Sequence, residues 1–202
     1  LSAINTSFSL VLLLHANHWL WFVVAAALAI GSKFVLRWQS SHLFNPSNIA
    51  IVALILLSDN VWVASGQWGQ TLWLALLLAG FGLIAFLGVG RLLTSLTFLV
   101  VYSALLLGRA LWLGDGWAIP LHQLQNGALL IFTFFMLSDP MTTPRHGLAR
   151  LLYGASLAFA AWLLQFFYYI PNAFLYTLAL ASPFVVILNQ RLQGERYQWV
   201  NK

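Results

Sequence analysis

Chemistry in this 202-residue chain has to come from amides and hydroxyls, because charged side chains are scarce and cysteine is absent. Asn5, Thr6 and Ser7 open one short apolar run, and Gln123, Gln125 and Asn126 open another. Asn and Gln amides present donors and acceptors together, which suits a neutral, planar, heteroatom-rich ligand. Hydrogen bonding between membrane helices is the other use for such side chains. A third polar group, His42-Leu43-Phe44-Asn45-Pro46-Ser47-Asn48, precedes a long apolar run. Asn45 reads as an N-cap with Pro46 at the first helical position. That reading does not account for Asn48, one turn further on, which is placed to face a central cavity.

The fourth group follows Phe134-Phe135-Met136-Leu137-Ser138 as Asp139-Pro140-Met141-Thr142-Thr143. An acid just past a helix C-terminus gains nothing from the helix dipole. Asp139 therefore either makes an Asx bond to the backbone of Thr142 or Thr143, or supplies a polar contact to a cofactor or ion. A lone carboxylate is a poor metal site. His15 and His18 map to one face and His42 and His146 to the other, with no i, i+4 pair, which speaks against haem or metal ligation. Lack of cysteine excludes thiolate zinc, iron–sulfur clusters and disulfides. There is no Ser-His-Asp order, Walker loop or dinucleotide fingerprint. No catalytic residue and no metal site is expected.

The elements that must hold these residues follow from composition. The chain is 61% hydrophobic and 6% charged, with nine Lys and Arg against four Asp and Glu. Soluble domains carry about 25% charged residues. A water-facing surface cannot be built from so few charges, so a soluble enzyme, a disordered tail and a nucleic-acid binder are excluded. The net charge of +5 is spread over short loops instead of forming one patch. An all-α polytopic membrane protein remains, because backbone polar groups in lipid must be paired within their own segment.

Turn signals cut the charge-free runs into eight segments of one transmembrane domain. A short helix is expected over 3–14 and full spans over 18–36, 46–64, 70–88 and 92–113. A second short segment covers 121–137, followed by spans over 147–168 and 172–190. Clusters such as Phe44-Asn45-Pro46, Gly114-Asp115-Gly116 and Pro171-Asn172 mark the breaks. Alternate threading puts Lys33, Arg37, Arg91, Arg145, Arg150, Arg191, Arg196 and Lys202 on one side and Arg109 alone towards the other. That asymmetry makes the basic side, with the C-terminus, cytoplasmic.

Two further features concern organisation. Segments one to three and six to eight share a pattern: a short polar-started helix, a long span, a Pro-Asn break and another long span. The first copy starts inside and the second outside, so the two are inverted, as in many transport folds. The expected fold is an inverted-repeat bundle with two short half-helices whose ends lie near mid-membrane. Leu1–Leu14 lacks the basic start and cleavage site of a signal peptide. It reads as the interior of a longer chain, with about two more helices expected upstream.

These motifs also carry a resemblance. His42-Leu43-Phe44-Asn45-Pro46-Ser47-Asn48 is similar to the N-x-F-N-P-A stretch of the RnfD/NqrB family. Asn126-Gly127-Ala128 through Phe134-Phe135 to Ser138-Asp139-Pro140-Met141-Thr142 resembles that family's S-G-A-x-x-x-x-F-F-x-x-T-D-P-V-T. Gly154 and Pro171-Asn172 also fit. Such proteins are membrane subunits of Rnf and sodium-translocating quinone reductase complexes, and their fold resembles urea and ammonium transporters. The family's electron-carrying members bear FMN on the Thr of a Ser-x-Ala-Thr motif between the third and fourth spans. Here that connection, Asp59 to Gly69, holds no such motif, which resembles the shorter branch that includes the UnbU-type proteins.

The resemblance implies an electron-transport subunit of the inner (plasma) membrane. It would bind a flavin (riboflavin or FMN) non-covalently, or a quinone, in the cavity between the half-helices. Asn5, Thr6, Asn45, Asn48, Asn126, Asp139 and Thr142 are the expected contacts. Partners would be the lipid bilayer and other membrane or extracytoplasmic redox subunits, with no nucleic acid. The alternative is a permease or channel for a small neutral solute or a flavin through the same cavity.

Overall fold

A computed structural model describes residues 2–38, 41–63, 92–192 and 194. The expected span over 70–88 and the Gly88-Val89-Gly90 break lie outside the described residues. The chain begins with α1 (Ser2–Leu13), β1 (Leu14–Ala16), α2 (Leu20–Val35), β2 (Arg37–Trp38), β3 (Ser41–His42), α3 (Pro46–Leu57) and β4 (Val61–Val63). It continues with α4 (Leu92–Leu113), α5 (Ala118–Leu124), α6 (Gly127–Ile131) running into a π-helical turn (Phe132–Met136), α7 (Gly147–Phe166), α8 (Ala173–Ala181) and α9 (Phe184–Arg191).

Helix dominates, but the all-α expectation needs correcting at both membrane faces. β1 pairs antiparallel with β4, with His15 opposite Trp62. β2 pairs antiparallel with β3, with Arg37 opposite His42. The first pair shortens the helix expected over 46–64. α3 ends at Leu57, Ser58 is extended, and residues 61–63 turn their backbone bonds towards 14–16. The segment expected over 121–137 is broken at Gln125–Asn126, where the Asn126 side chain accepts from Ala128 N–H and restarts the helix. The last span, expected over 172–190, is bent by 48° between α8 and α9. Pro183 sits at the break, where its missing N–H interrupts the helical ladder.

α4 and α7 are each long and apolar enough to cross a bilayer, and the bent α8–α9 pair reaches that length and apolarity only when its two helices are taken together. Their packing fixes direction. Gly154 of α7 lies against Thr94 and Phe98 of α4. Tyr102 donates to Gln165 over 2.5 Å, and the Arg109 guanidinium stacks on Phe166 at 4.5 Å. Contacts advance together along both chains, so α4 and α7 run parallel. Thr94, Phe98, Tyr102 and Leu106 of α4 are buried, as are Tyr153, Leu157, Ala158 and Ala161 of α7. Their other sides expose Leu96, Val100 and Leu111, or Leu148, Leu152 and Phe159, as lipid-facing helices do.

Parallel neighbours require the intervening chain to return across the layer, and α6 with its π turn does so. Phe132 packs between Phe98 of α4 and Phe174 of α8, at ring centroid distances of 5.3 and 5.2 Å. α1 lies beside the same short helix, with Phe8 stacked on Phe135. One face of the bundle thereby collects Lys33, Arg37, Arg145, Arg150 and Arg191, while Arg109 pairs with Asp115 at the opposite face (3.3 Å).

Candidate functional site

On the basic face, three helix ends meet. The first turn of α3 begins at Asn45, whose extended backbone and buried side chain form a cap, Oδ1 accepting from Asn48 N–H at 3.1 Å. The amide nitrogen of the same side chain donates to the Met136 carbonyl at 3.1 Å and reaches the Asp139 carboxylate at 3.5 Å. One residue thus closes the N-terminus of α3 and ties it to the C-terminus of the short helix. α1 enters from the other direction. Ser47 Oγ donates to the Thr6 carbonyl at 3.1 Å, and Lys33 Nζ at the end of α2 donates to Thr6 Oγ1 at 2.8 Å.

The π turn prepares this junction. Leu137 N–H bonds to the Phe132 carbonyl at 2.9 Å, five residues back, which widens the helix by one residue. Buried Ser95 of α4 donates to the Thr133 carbonyl at 2.8 Å, so the wider turn leaves that group paired. Ser138 Oγ donates to the Phe134 carbonyl. The chain then turns at Asp139, whose Oδ1 accepts from Met141 N–H at 3.0 Å, while its own carbonyl receives Thr142 N–H and Thr143 Oγ1. The Asx bond is present, but it goes to Met141 instead of Thr142 or Thr143. Asp139 keeps part of its surface accessible while its carboxyl is packed inward. That desolvation pushes its pKa above the ordinary carboxylate value, against the pull of Met141 N–H, His42 and Lys33.

Asn48 is 0% exposed. Its Nδ2 donates to the Leu175 carbonyl of α8 at 3.1 Å, and its Oδ1 has no hydrogen-bond partner among the described residues. The Thr94 hydroxyl is likewise buried and unpartnered among them. Such atoms cost free energy unless something supplies a donor.

The structure therefore brings Thr6, Asn45, Asn48, Asp139 and Thr142 to one face of the bundle, linked through α3 and the 139–142 turn. Asn5 lies on α1, one residue before Thr6, with its side chain outside the described residues. Asn126 is not part of this group. It caps the far end of the short helix, ten residues from Met136, or about 15 Å along the axis. Sequence reasoning used Lys33 only for orientation, and it did not single out Ser95 as a site residue. An isolated serine carries no signal of its partner. A lysine four residues before a basic loop could have been read as reaching inward.

Two concavities border these elements. One, of about 60 Å³, lies between the β2–β3 hairpin, the 141–145 turn and α9, with His42, Thr142, Arg145 and Asn189 in its wall. The other is an apolar groove of about 370 Å³ between α2 and α3, flanked by Leu28, Gly31, Ile49 and Ala53. Small-molecule sites run from about 300 to 1,000 Å³, so only the groove approaches the size of a redox ring. No group of three or more His, Cys, Asp or Glu able to hold a metal occurs among the described residues.

Apolar helices of span length, a broken short helix and a buried polar junction define an integral membrane protein. The chain belongs to the NQR2, RnfD, RnfE family, whose model matches residues 48–198. It is 29% identical over 83 residues to the D subunit of an ion-translocating oxidoreductase complex from Buchnera aphidicola, covering 41% of this chain and 23% of that one. It is 31% identical over 87 residues to the D subunit of the complex of the same name from Citrobacter koseri, covering 41% and 25%. The match thus spans about a quarter of the length of these relatives.

Proposed function

We propose that this chain is a membrane subunit of an ion-translocating oxidoreductase complex, the assembly for which its curated relatives are named. Its junction binds a flavin (riboflavin or FMN) or a quinone without a covalent bond, and relays electrons across or along the membrane to other membrane or extracytoplasmic subunits. The observation that carries this reading is Asn48: a fully buried amide oxygen without a partner among the described residues, on α3 where its side chain bonds to α8. A neutral ring with an N–H or O–H donor satisfies it, and the α2–α3 groove beside the same helix offers an apolar wall of suitable size. Asn48, Asn45, Thr6, Asp139 and Thr142 are the polar groups available to hold such a ring. The bound group would supply the electron chemistry. The protein's part is to orient it through these amides and to exclude water with Phe132, Phe135 and Met136.

The basic face is cytoplasmic and the membrane is the inner one, which the separation of five described cations from Arg109 supports. The opposite running of α1 and the short helix at the junction supports an inverted repeat of the urea- and ammonium-transporter kind.

The test is an absorption spectrum and quinone extraction of the detergent-purified protein, followed by acid precipitation and intact-mass measurement. One equivalent of flavin or quinone that leaves on precipitation is expected, with an unmodified chain mass. Absence of both groups would overturn the reading and favour a permease for a small neutral solute or flavin. A mass increase equal to esterified FMN would overturn its non-covalent part.

A further inference from the structure

The groove between α2 and α3 has a direction as well as a size. Its wall runs from Ala27 to Leu36 along α2 and from Ile49 to Ala53 along α3. From Ala27 to Leu36 at about 1.5 Å per residue, it is about 14 Å long. The hydrocarbon core of a bilayer is about 30 Å thick, so one leaflet is about 15 Å deep. The Leu36 end is at the basic face, where β2 begins at Arg37. The groove therefore covers the depth of one leaflet, from the basic face to about the midplane.

The wall offers nothing to a polar ligand. Its hydroxyl, Ser32 Oγ, already donates to the Ala29 carbonyl at 2.8 Å. Gly31 leaves the floor open, since a Cβ there would meet nothing within 4 Å. Leu28 and Val35 on the rim are exposed, so the groove opens sideways, on the side where α2 also exposes Val24 and Phe34. Hydrocarbon is what such a surface takes out of competition with water. Polar chemistry begins one residue past the wall. Arg37 follows Leu36 and is exposed, and Trp38 beside it is exposed too, as indoles are at headgroup level. Lys33 is turned inward, its Nζ donating to Thr6 Oγ1 at 2.8 Å. The cation at the mouth is thus Arg37, whose planar guanidinium matches a phosphate. From Leu20 to Leu57 the sequence holds no acid to compete for it.

We infer that the α2–α3 groove binds one anionic phospholipid of the basic-face leaflet, with an acyl chain lying along Gly31 and the phosphate at Arg37. The groove recognises the chain, and Arg37 selects the headgroup charge. The inference does not rest on the redox reading, because the Asn48 amide leaves α3 towards α8. A ring that used this groove as its wall would compete with the lipid.

The test is native mass spectrometry of the purified full chain, delipidated and then titrated with phosphatidylglycerol or with phosphatidylcholine of identical acyl chains. One phosphatidylglycerol should stay bound, about fivefold more tightly than phosphatidylcholine, the discrimination expected of one cation near a headgroup. Arg37→Gln should make the two lipids equal. Arg191→Gln, on the same face but outside the wall, should leave the preference unchanged. Gly31→Leu, whose side chain enters the groove, should weaken both lipids at least tenfold. If that variant unfolds below the wild-type temperature, Ala53→Leu repeats the test from α3. Equal binding of the two lipids by the wild type would overturn the proposal, as would undiminished binding in a folded groove variant. Loss of the preference in Arg191→Gln would assign it to the basic face at large and overturn the site. A dimer that forms in place of lipid binding and dissociates in Gly31→Leu would overturn it in favour of a second copy. A flavin or quinone lost in Gly31→Leu, with lipid binding untouched, would overturn the lipid site and leave the redox reading standing.

Discussion

Replacing Asn45 separates two jobs that one side chain performs. Asn45→Ser keeps an oxygen to cap α3 but removes the amide that reaches Met136. Loss of that tether leaves a buried carbonyl whose other donor, the Asp139 N–H, stands at 3.5 Å. The cost is about 1–3 kcal/mol. Asn45→Ala also removes the cap, adding about 1 kcal/mol, for a total of roughly 2–4 kcal/mol. At about 2–4 °C per kcal/mol for a chain of this size, serine and alanine should differ measurably in thermal unfolding in detergent. Asn45→Asp is the sharper case. Aspartate caps a helix as well as asparagine does, but it places a second carboxylate within reach of Asp139, where asparagine now sits at 3.5 Å. Two carboxyl groups so placed share one proton at low pH and repel once both ionise. Asn45→Asp should therefore match Asn45→Ser near about pH 4 and fall progressively below it towards about pH 8. Equal stability of Asn45→Ser and wild type would refute the tether. A pH-independent Asn45→Asp would refute the placement of Asp139 at the α3 cap.

Two other outcomes follow from the same geometry. Because burial raises the Asp139 pKa, the folded chain holds that proton at pH values where the unfolded chain has lost it. Its contribution to stability is complete below the ordinary value of 3.8 and is lost as pH rises through the elevated one; Asp139→Asn should flatten that decline in unfolding titrations, whereas a steeper decline would contradict it. Glycine to alanine should have opposite signs at two helical positions: Gly154→Ala puts a Cβ 2.7 Å from the Thr94 carbonyl and should destabilise by about 1–2 kcal/mol, whereas Gly31→Ala meets nothing within 4 Å and should stabilise by up to about 1 kcal/mol, with thermal unfolding of both variants as the check.

Composition and local spacing settle the class of molecule and much of its punctuation. Sixty-one per cent hydrophobic residues with so few charges leaves only a membrane interior as solvent. The helix start at Asn45-Pro46 is legible because capping is local chemistry, complete within three residues, whereas the restart at Asn126 falls inside the segment expected over 121–137. The Asx turn at Asp139 was legible for the same reason, though its partner shifted to Met141. What lay beyond the sequence were contacts between residues far apart in the chain. The amide of Asn45 finds a carbonyl 91 residues away, that of Asn48 one 127 away, and the Ser95 hydroxyl one 38 away. Periodicity cannot show these pairings, because each depends on how parallel and antiparallel helices stack. The strand pairing of 14–16 with 61–63 is beyond the sequence likewise, since Val61-Trp62-Val63 reads equally well as the end of the helix expected over 46–64. The family resemblance puts Asn126 and Asp139 in one set of expected contacts. The packed bundle assigns them to opposite ends, since ten helical residues hold their two flanks about 15 Å apart.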